Sequence, residues 1–484
     1  MITASHNPEE DNGVKLVDPM GEMLEEEWEK LASQLANVSD DQVVSAMEGI
    51  ITDCSVDMNT PSSVFLAYDT RQSSPHLAQA VIDGVQSLEG HVENFGILTT
   101  PQLHYLVRCK NTNEQYGACS EEGYYRKLSK AFLHLRTVGA SKGNYQSSLN
   151  LDGANGVGAL KMKVFQKYLG EGLNVTIFND GSKGKLNHMC GADFVKVQQK
   201  IPEGIPVEAG VRCVSFDGDA DRVVYFYLDD NQKFHLLDGD KIATMVTAYL
   251  KDLLSAAGVD LDLCIVQTAY ANGSSTYFIS DILKVPVVCV PTGVKHLHHR
   301  AQQADIGVYF EANGHGTVVF SDKTIEKLET VVKSSSRPEQ KKAAQKVMDV
   351  INLINQTVGD AISDMLLVET VLHDRGWSVA DWDQIYKDLP NRQLKVMVAD
   401  RKVITTTDAE RICVTPDSLQ EAINSLTSKY LCSRAFVRPS GTEDVVRVYA
   451  EATTQENADM LAYEVSKKVY QLAGGVGSEP QPPV

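Results

Sequence analysis

The sequence predicts an α/β fold in which three strand–helix cycles are followed by a smaller α+β domain. Three observations carry this. At 484 residues the chain is too long for one hydrophobic core, and its length suits three or four domains. Short apolar runs alternate with amphipathic stretches, the signature of strands joined by crossover helices. In each cycle a strand runs into a loop rich in polar residues, where open α/β sheets bind their ligands.

The elements follow in order. Residues 22–36 place Leu24, Trp28, Leu31 and Leu35 on one face of an acidic helix. Val64-Phe65-Leu66-Ala67-Tyr68 is a strand that runs into Asp69-Thr70-Arg71-Gln72-Ser73-Ser74-Pro75, and a helix follows to about Leu88, stopped by Gly90. A strand over 91–98 and a helix opened by Thr99-Thr100-Pro101 complete the first cycle. A helix over 121–135 leads to the second, with strands at 149–151, 175–178 and 211–216. The third has a helix over 240–257, a short helix near Ser274 and strands at 263–266, 285–290 and 306–310. Residues 336–388 have a helical pattern. The last part alternates strands at 394–399, 435–437 and 445–452 with helices at 418–430 and 456–472. The tail, from Gly474-Gly475 to Pro482-Pro483-Val484, is expected to be disordered.

Net charge is −19, which argues against nucleic acid or an anionic membrane as the main partner. Nine cysteines without a C-x-x-C pair suggest reduced thiols in a cytosolic protein. No apolar run reaches membrane-spanning length.

Four strings carry chemistry. Thr3-Ala4-Ser5-His6-Asn7-Pro8 holds a serine on a stiff loop, with His6 and Lys15 nearby to activate it; the same string also suits a polar turn. Asp217-Gly218-Asp219-Ala220-Asp221-Arg222 sets alternate carboxylates at a strand end, which suits a divalent cation, Mg²⁺ where phosphate is also a ligand. An EF-hand is excluded, because Arg222 stands where its glycine belongs and Leu228 where its glutamate does. Glu311-Ala312-Asn313-Gly314-His315 offers an acceptor, an amide and an imidazole to sugar hydroxyls and proton transfer. Arg438-Pro439-Ser440-Gly441-Thr442, with Arg447 on the next strand, has the composition of an anion clamp, or of a Ser-Gly turn beside a solvated arginine. Asp152-Gly153-Ala154-Asn155-Gly156-Val157-Gly158 lacks dinucleotide spacing and is read as tight strand-to-helix packing. His296, His298 and His299 lack the partners of a zinc site.

These four strings, in this order, resemble the α-D-phosphohexomutase superfamily. Asn179-Asp180-Gly181-Ser182-Lys183-Gly184-Lys185-Leu186-Asn187 and Cys190-Gly191-Ala192-Asp193 look like its branch acting on N-acetylglucosamine phosphates. The resemblance spans essentially the whole chain. It implies four domains around a central cleft, three of mixed-sheet α/β type and a smaller α+β one, bounded at 1–117, 118–237, 238–388 and 389–484. It implies a phosphoserine at Ser5, and Mg²⁺ held by Asp217, Asp219, Asp221 and the Ser5 phosphate. Arg222 is expected to neutralise the transferring group. Glu311 and Asn313 would hold the sugar. Arg438, Ser440, Gly441, Thr442 and Arg447 would grip its phosphate, Lys15 and His315 would move protons, and Lys295 would line the cleft. The implied reaction interconverts N-acetylglucosamine 6-phosphate and 1-phosphate through a 1,6-bisphosphate, feeding UDP-N-acetylglucosamine synthesis in a cytoplasmic monomer. The family carries a further stretch before the serine loop, so the chain reads as an N-terminally truncated form. A catalytically impaired sugar-phosphate-binding form and a phosphatase using the same aspartates are the competing expectations.

Overall fold

The computed structural model describes residues 1–138, 143–441 and 443–483. They form two compact units, Met1–Leu236 with Asp349–Val379, and Leu237–Met348 with Ala380–Val484.

In the first unit, Ser63–Tyr68 and His91–Ile97 pair in parallel. Ile2 adds a rung to this sheet. It bridges Tyr68 in parallel and Val14 antiparallel, donates to the Ala67 carbonyl at 2.9 Å and accepts from the Asp69 N–H at 3.0 Å. Ile2 is fully buried against Leu66 and Ala78, so apolar burial as well as hydrogen bonding fixes the start of the serine loop. The helix Thr100–Asn111 begins with a capping box between Thr99 and Gln102. A second sheet pairs Asn174–Phe178, Ser148–Asp152 and Cys213–Phe216 in parallel, and Val223–Leu228 returns antiparallel. The Gly-rich turn after Asp152 serves packing, as expected. Any Cβ on Gly156 would lie 2.4 Å from the Gly218 carbonyl oxygen, so the two loops touch backbone to backbone.

In the second unit, Ile306–Phe310 is a central strand, buried throughout. It pairs in parallel with Leu263–Gln267 and antiparallel with Gly316–Phe320, while Val287–Cys289 lies beyond Leu263–Gln267. A three-stranded antiparallel sheet has Val445–Glu451 between Asn391–Met397 and Arg434–Pro439. The helices Asp417–Thr427 and Gln455–Leu472 share its core, through Leu419, Ile423, Leu461 and Val465.

Several expectations change. The first helix starts at Glu26, not at residue 22, because an antiparallel bridge between Val17 and Met23 holds the preceding chain extended. None of its residues is buried, so its apolar stripe covers no core. Val223–Leu228 and Gly316–Phe320 are strands that the periodicity does not single out. The tail is ordered through its first residues. Gly475 bridges Val398 and the Val476 N–H donates to the Met397 carbonyl, since the strand edge offers unpaired groups there. Val484 lies outside the described residues. Among the described residues, no helix is long and apolar enough to cross a membrane.

Candidate active site

The serine loop is tied down at three points. Ser5 has φ +46°, a left-handed conformation that costs a non-glycine residue energy and needs support. The first support is local: the Ser5 N–H donates to Thr3 Oγ1 at 3.0 Å, and Thr3 Oγ1 donates to Asp69 Oδ2 at 2.8 Å. The second is Arg71, which is 1% exposed. It pairs with Asp69 and donates to the carbonyls of Asp11 at 2.6 Å and Asn7 at 2.8 Å. The third is Asn187, whose Nδ2 donates to the carbonyls of Ser5 at 2.7 Å and Asn7 at 2.9 Å. The serine is thus aimed by a network in which every carbonyl named has a donor.

Its hydroxyl meets the aspartate loop. Ser5 Oγ donates to Asp219 Oδ2 at 3.3 Å. The same oxygen accepts from Lys15 Nζ at 2.9 Å and Thr100 Oγ1 at 2.5 Å. Lys15 also donates to Asp221 Oδ2 at 2.7 Å. Asp217, Asp219 and Asp221 are buried and offer ligand oxygens within 4.8 Å of one another. Asp217 Oδ1 accepts from the N–H groups of Asp221 at 3.0 Å and Arg222 at 3.2 Å. Asp217 Oδ2 and Asp219 Oδ1 are buried and accept no hydrogen bond among the described residues. Asp217 and Asp219 each use one oxygen for the protein and keep the other for the cluster, the donor set a hard divalent cation requires.

The charges agree with this. Burial, then the Asp221 and Asp219 carboxylates, raise Asp217 well above the usual carboxylate range, against the opposing Arg222 and Lys15. Burial disfavours charge on Lys15, but Asp219 and Asp221 outweigh it and hold the ammonium above its ordinary value. Arg222 Nε lies 3.9 Å from Asp217 and 3.8 Å from Asp221, and its Nη1 lies 3.7 Å from Asp193. Burial and the Arg222 charge lower the pKa of His6.

The second unit holds the other candidates. Glu311-Ala312-Asn313-Gly314-His315 is a tight turn closed by Glu311 N–H to the His315 carbonyl at 2.8 Å and Gly314 N–H to the Glu311 carbonyl at 2.9 Å. Gly314 has φ +89°, and Asn313 Oδ1 accepts from the His315 N–H at 2.9 Å. Gly239 packs so closely under the turn that a Cβ there would lie 1.8 Å from the Glu311 carbonyl oxygen. Arg438 and Arg447 stand directly opposite each other on adjacent antiparallel strands, with Lys395 opposite Arg447 on the far side. Like charges placed so repel one another and favour an anion between them. The Ser440 N–H donates to the Val445 carbonyl at 2.9 Å, which folds the loop through Gly441 back on itself. Thr442 lies outside the described residues. Lys295 is half-buried in the first turn of the helix Val294–Ala301. His298 is buried, with its Nδ1 2.9 Å from the Tyr309 hydroxyl.

Known proteins match along the whole chain. Models of phosphoacetylglucosamine mutase AMG1 domains II and III match residues 116–224 and 238–377. Models of phosphoglucomutase/phosphomannomutase α/β/α domain I and of its C-terminal domain match residues 1–43 with 36–116 and residues 383–468. The phosphoacetylglucosamine mutase of Homo sapiens is 57% identical over 100% of this chain and 89% of its own length. The chain belongs to the phosphoacetylglucosamine mutase family. The enzyme of that name from Candida albicans is 46% identical over 97% of this chain and 89% of its own. Among solved structures, Aspergillus fumigatus N-acetylphosphoglucosamine mutase, in complex with GlcNAc-6P and magnesium, superposes with a TM-score of 0.92. It is 46% identical, over 98% of this chain and 88% of that one. The four-domain α/β class expected from the motifs is thus the fold of a phosphoacetylglucosamine mutase family member, and the family is one of isomerases.

The geometry adds residues that sequence reasoning leaves without a role. Thr100, Asn187, Asp69 and Arg71 position the serine and aspartate loops, and Glu410 lies beside Arg438 and accepts from Thr292. A signal exists for three of them. Asp69 and Arg71 follow a strand directly, and Asn187 closes a string noted above for its composition.

Proposed function

We propose that this chain interconverts N-acetylglucosamine 6-phosphate and N-acetylglucosamine 1-phosphate, with Ser5 as the phosphoryl carrier and a 1,6-bisphosphate as intermediate. The observation that carries this reading is Ser5 itself. It is a buried serine at φ +46°, 3.3 Å from Asp219, beside three carboxylates within 4.8 Å of one another. A phosphoryl group on Ser5 brings negative charge to a cluster already rich in it, so the site fits a divalent cation. When bound by Asp217, Asp219, Asp221 and the Ser5 phosphate, Mg²⁺ supplies neutralisation of charge on the transferring group.

The chain's own residues do the rest. Arg222 adds positive charge beside Asp217 and Asp221. Lys15 holds Asp219 and Asp221, and serves as the proton relay next to Ser5. Arg438 and Arg447, with the Ser440, Gly441 and Thr442 loop, anchor the phosphate that is not transferred. Glu311 and Asn313 orient sugar hydroxyls, His315 carries a proton, and Lys295 contributes a further cation. In the first half-reaction the Ser5–O–P bond breaks as the sugar hydroxyl takes the phosphoryl group and loses its proton. In the second, the other phosphoryl group passes back to the Ser5 oxygen and the sugar oxygen it leaves regains a proton. The domain bounds 1–117, 118–237, 238–388 and 389–484 place one of the four motifs in each domain. The substrate is a small phosphosugar, and the protein acts as a cytoplasmic monomer.

A coupled assay of 1-phosphate formation from N-acetylglucosamine 6-phosphate tests this. Turnover is expected to need Mg²⁺ and a bisphosphate primer and to be lost in Ser5→Ala. Phosphate release without isomerised sugar would replace the mutase with a phosphatase.

A further inference from the structure

Glu410 occupies the place where the Arg438 guanidinium would meet a phosphate. Its Oε1 lies 3.2 Å from Arg438 Nε, and both side chains are 16% exposed. Its Oε2 accepts from the Thr292 N–H at 3.0 Å and from the Thr292 hydroxyl. The two oxygens are not equally held. Arg438 Nε is buried and makes no aligned hydrogen bond, although the carboxylate is within ion-pair distance. Glu410 is therefore bonded to Thr292 and only paired in charge with Arg438. The backbone around it is held out of its ordinary range: Asp408, Ala409 and Glu410 have φ of +51°, +54° and +67° in succession. Arg411 pins the tip by donating to the Asp408 carbonyl at 3.1 Å and to its carboxylate at 2.6 Å.

From this we infer that Glu410 is a gate residue of the phosphate clamp. It is an internal anion that neutralises Arg438 while the clamp is empty and yields it to the substrate phosphate. The inference rests on reading Arg438 and Arg447 as that clamp. Three cations, Lys395, Arg447 and Arg438, face one another across adjacent strands. The outer two have carboxylate partners, Glu443 at 3.7 Å from Lys395 and Glu410 beside Arg438. Arg447 pairs with no carboxylate among the described residues. An arriving phosphate thus meets one ready cation and one that must be released. A phosphate oxygen can make the aligned, charge-assisted bonds that Glu410 does not make to Arg438, so the exchange favours the ligand. Thr292 keeps its bonds to the carboxylate, which fixes where Glu410 stands after the exchange.

Calorimetric titration of the full chain with inorganic phosphate tests the inference, alongside the KM for N-acetylglucosamine 6-phosphate. Glu410→Gln keeps the size and an acceptor but removes the charge, and Glu410→Ala removes the competitor outright. Both are expected to bind phosphate roughly three- to tenfold more tightly than the parent and to lower KM, because a competing ion pair of this exposure is lost. Glu443→Gln, a more exposed carboxylate near the same row, reports the general charge effect and is expected to change binding much less. A Glu410→Gln variant that binds phosphate no better, or worse, would make Glu410 a strut that orients Arg438 and overturn the gate. Equal gains in Glu410→Gln and Glu443→Gln would also overturn it, in favour of a bulk field. Arg438→Ala separates the gate from the clamp. Weaker phosphate binding supports the clamp whatever Glu410 does, and unchanged binding would remove the clamp and the gate together.

Discussion

Asp217→Asn perturbs the aspartate cluster with almost no change in shape. The three carboxylates share a buried space, and Asp217 bears a cost from burial and from its two acidic neighbours. At the 4.8 Å limit within which these oxygens lie, two like charges repel by roughly 3 kcal/mol at an effective dielectric near 20. Asp217 faces two of them and is attracted to Arg222 at 3.9 Å, a gain of about 4 kcal/mol on the same scale. The difference is about 2 to 3 kcal/mol, and it is reduced by the attraction of Lys15 and because a carboxyl raised this far is partly neutral already. The asparagine carbonyl retains the bonds from the N–H groups of Asp221 and Arg222. Asp217→Asn is therefore expected to raise stability by about 1 kcal/mol in EDTA, and to lose most of the Mg²⁺-dependent stabilisation expected of the parent chain. Thermal unfolding in EDTA and across a Mg²⁺ series measures both. A variant less stable than the parent in EDTA, or one with the same Mg²⁺ response, would refute the idea that the cluster is held together against its own charge for a cation.

Ser5→Gly relieves the left-handed conformation and should add roughly 0.5–1 kcal/mol of stability by denaturant unfolding while abolishing turnover. Asn187→Ala removes two donors from the serine loop and should lower kcat by about tenfold or more with a smaller change in KM, as steady-state kinetics will show. Arg71→Met leaves the Asp69 carboxylate buried without its partner, and a loss of about 3–5 kcal/mol in chemical denaturation is expected. Burial raises Asp360 to about 6, against its hydrogen bonds from Asn355 and Tyr124. The raised value means the folded state keeps this proton after the unfolded state has lost it. Its contribution to stability therefore falls by about 3 kcal/mol as pH rises from about 4 to 6. Asp360→Asn should flatten that part of the stability–pH curve.

Much of the site is legible in the sequence where the chemistry is local. Alternate aspartates after a strand, and an arginine before a Ser-Gly turn, keep their meaning wherever the loop sits. Ile306–Phe310 is legible because a short apolar run admits few other structures. The strands Val223–Leu228 and Gly316–Phe320 are harder to see, because each follows a site loop whose polar residues mask where the strand begins. The residues that aim the serine are illegible for a different reason. Asn187 lies 182 positions from Ser5, and Thr100 lies 119 from Asp219, and no periodicity records such a pairing. In sequence Glu410 is one more charge between two short strands; only the fold brings it to Thr292 and Arg438. The first helix shows the converse. The expected apolar stripe at Leu24, Trp28, Leu31 and Leu35 is plain in sequence, yet a stripe states only that a face could be buried; here Leu24 precedes the helix and no residue of the helix is buried.

The proposed reaction turns on Ser5 as the carrier of the phosphoryl group. Mass mapping of the chain after reaction with glucose 1,6-bisphosphate and Mg²⁺ tests it most directly. One phosphoryl group is expected, on the peptide containing Ser5, discharged when N-acetylglucosamine 6-phosphate is added. Turnover with Ser5 unmodified throughout would contradict it.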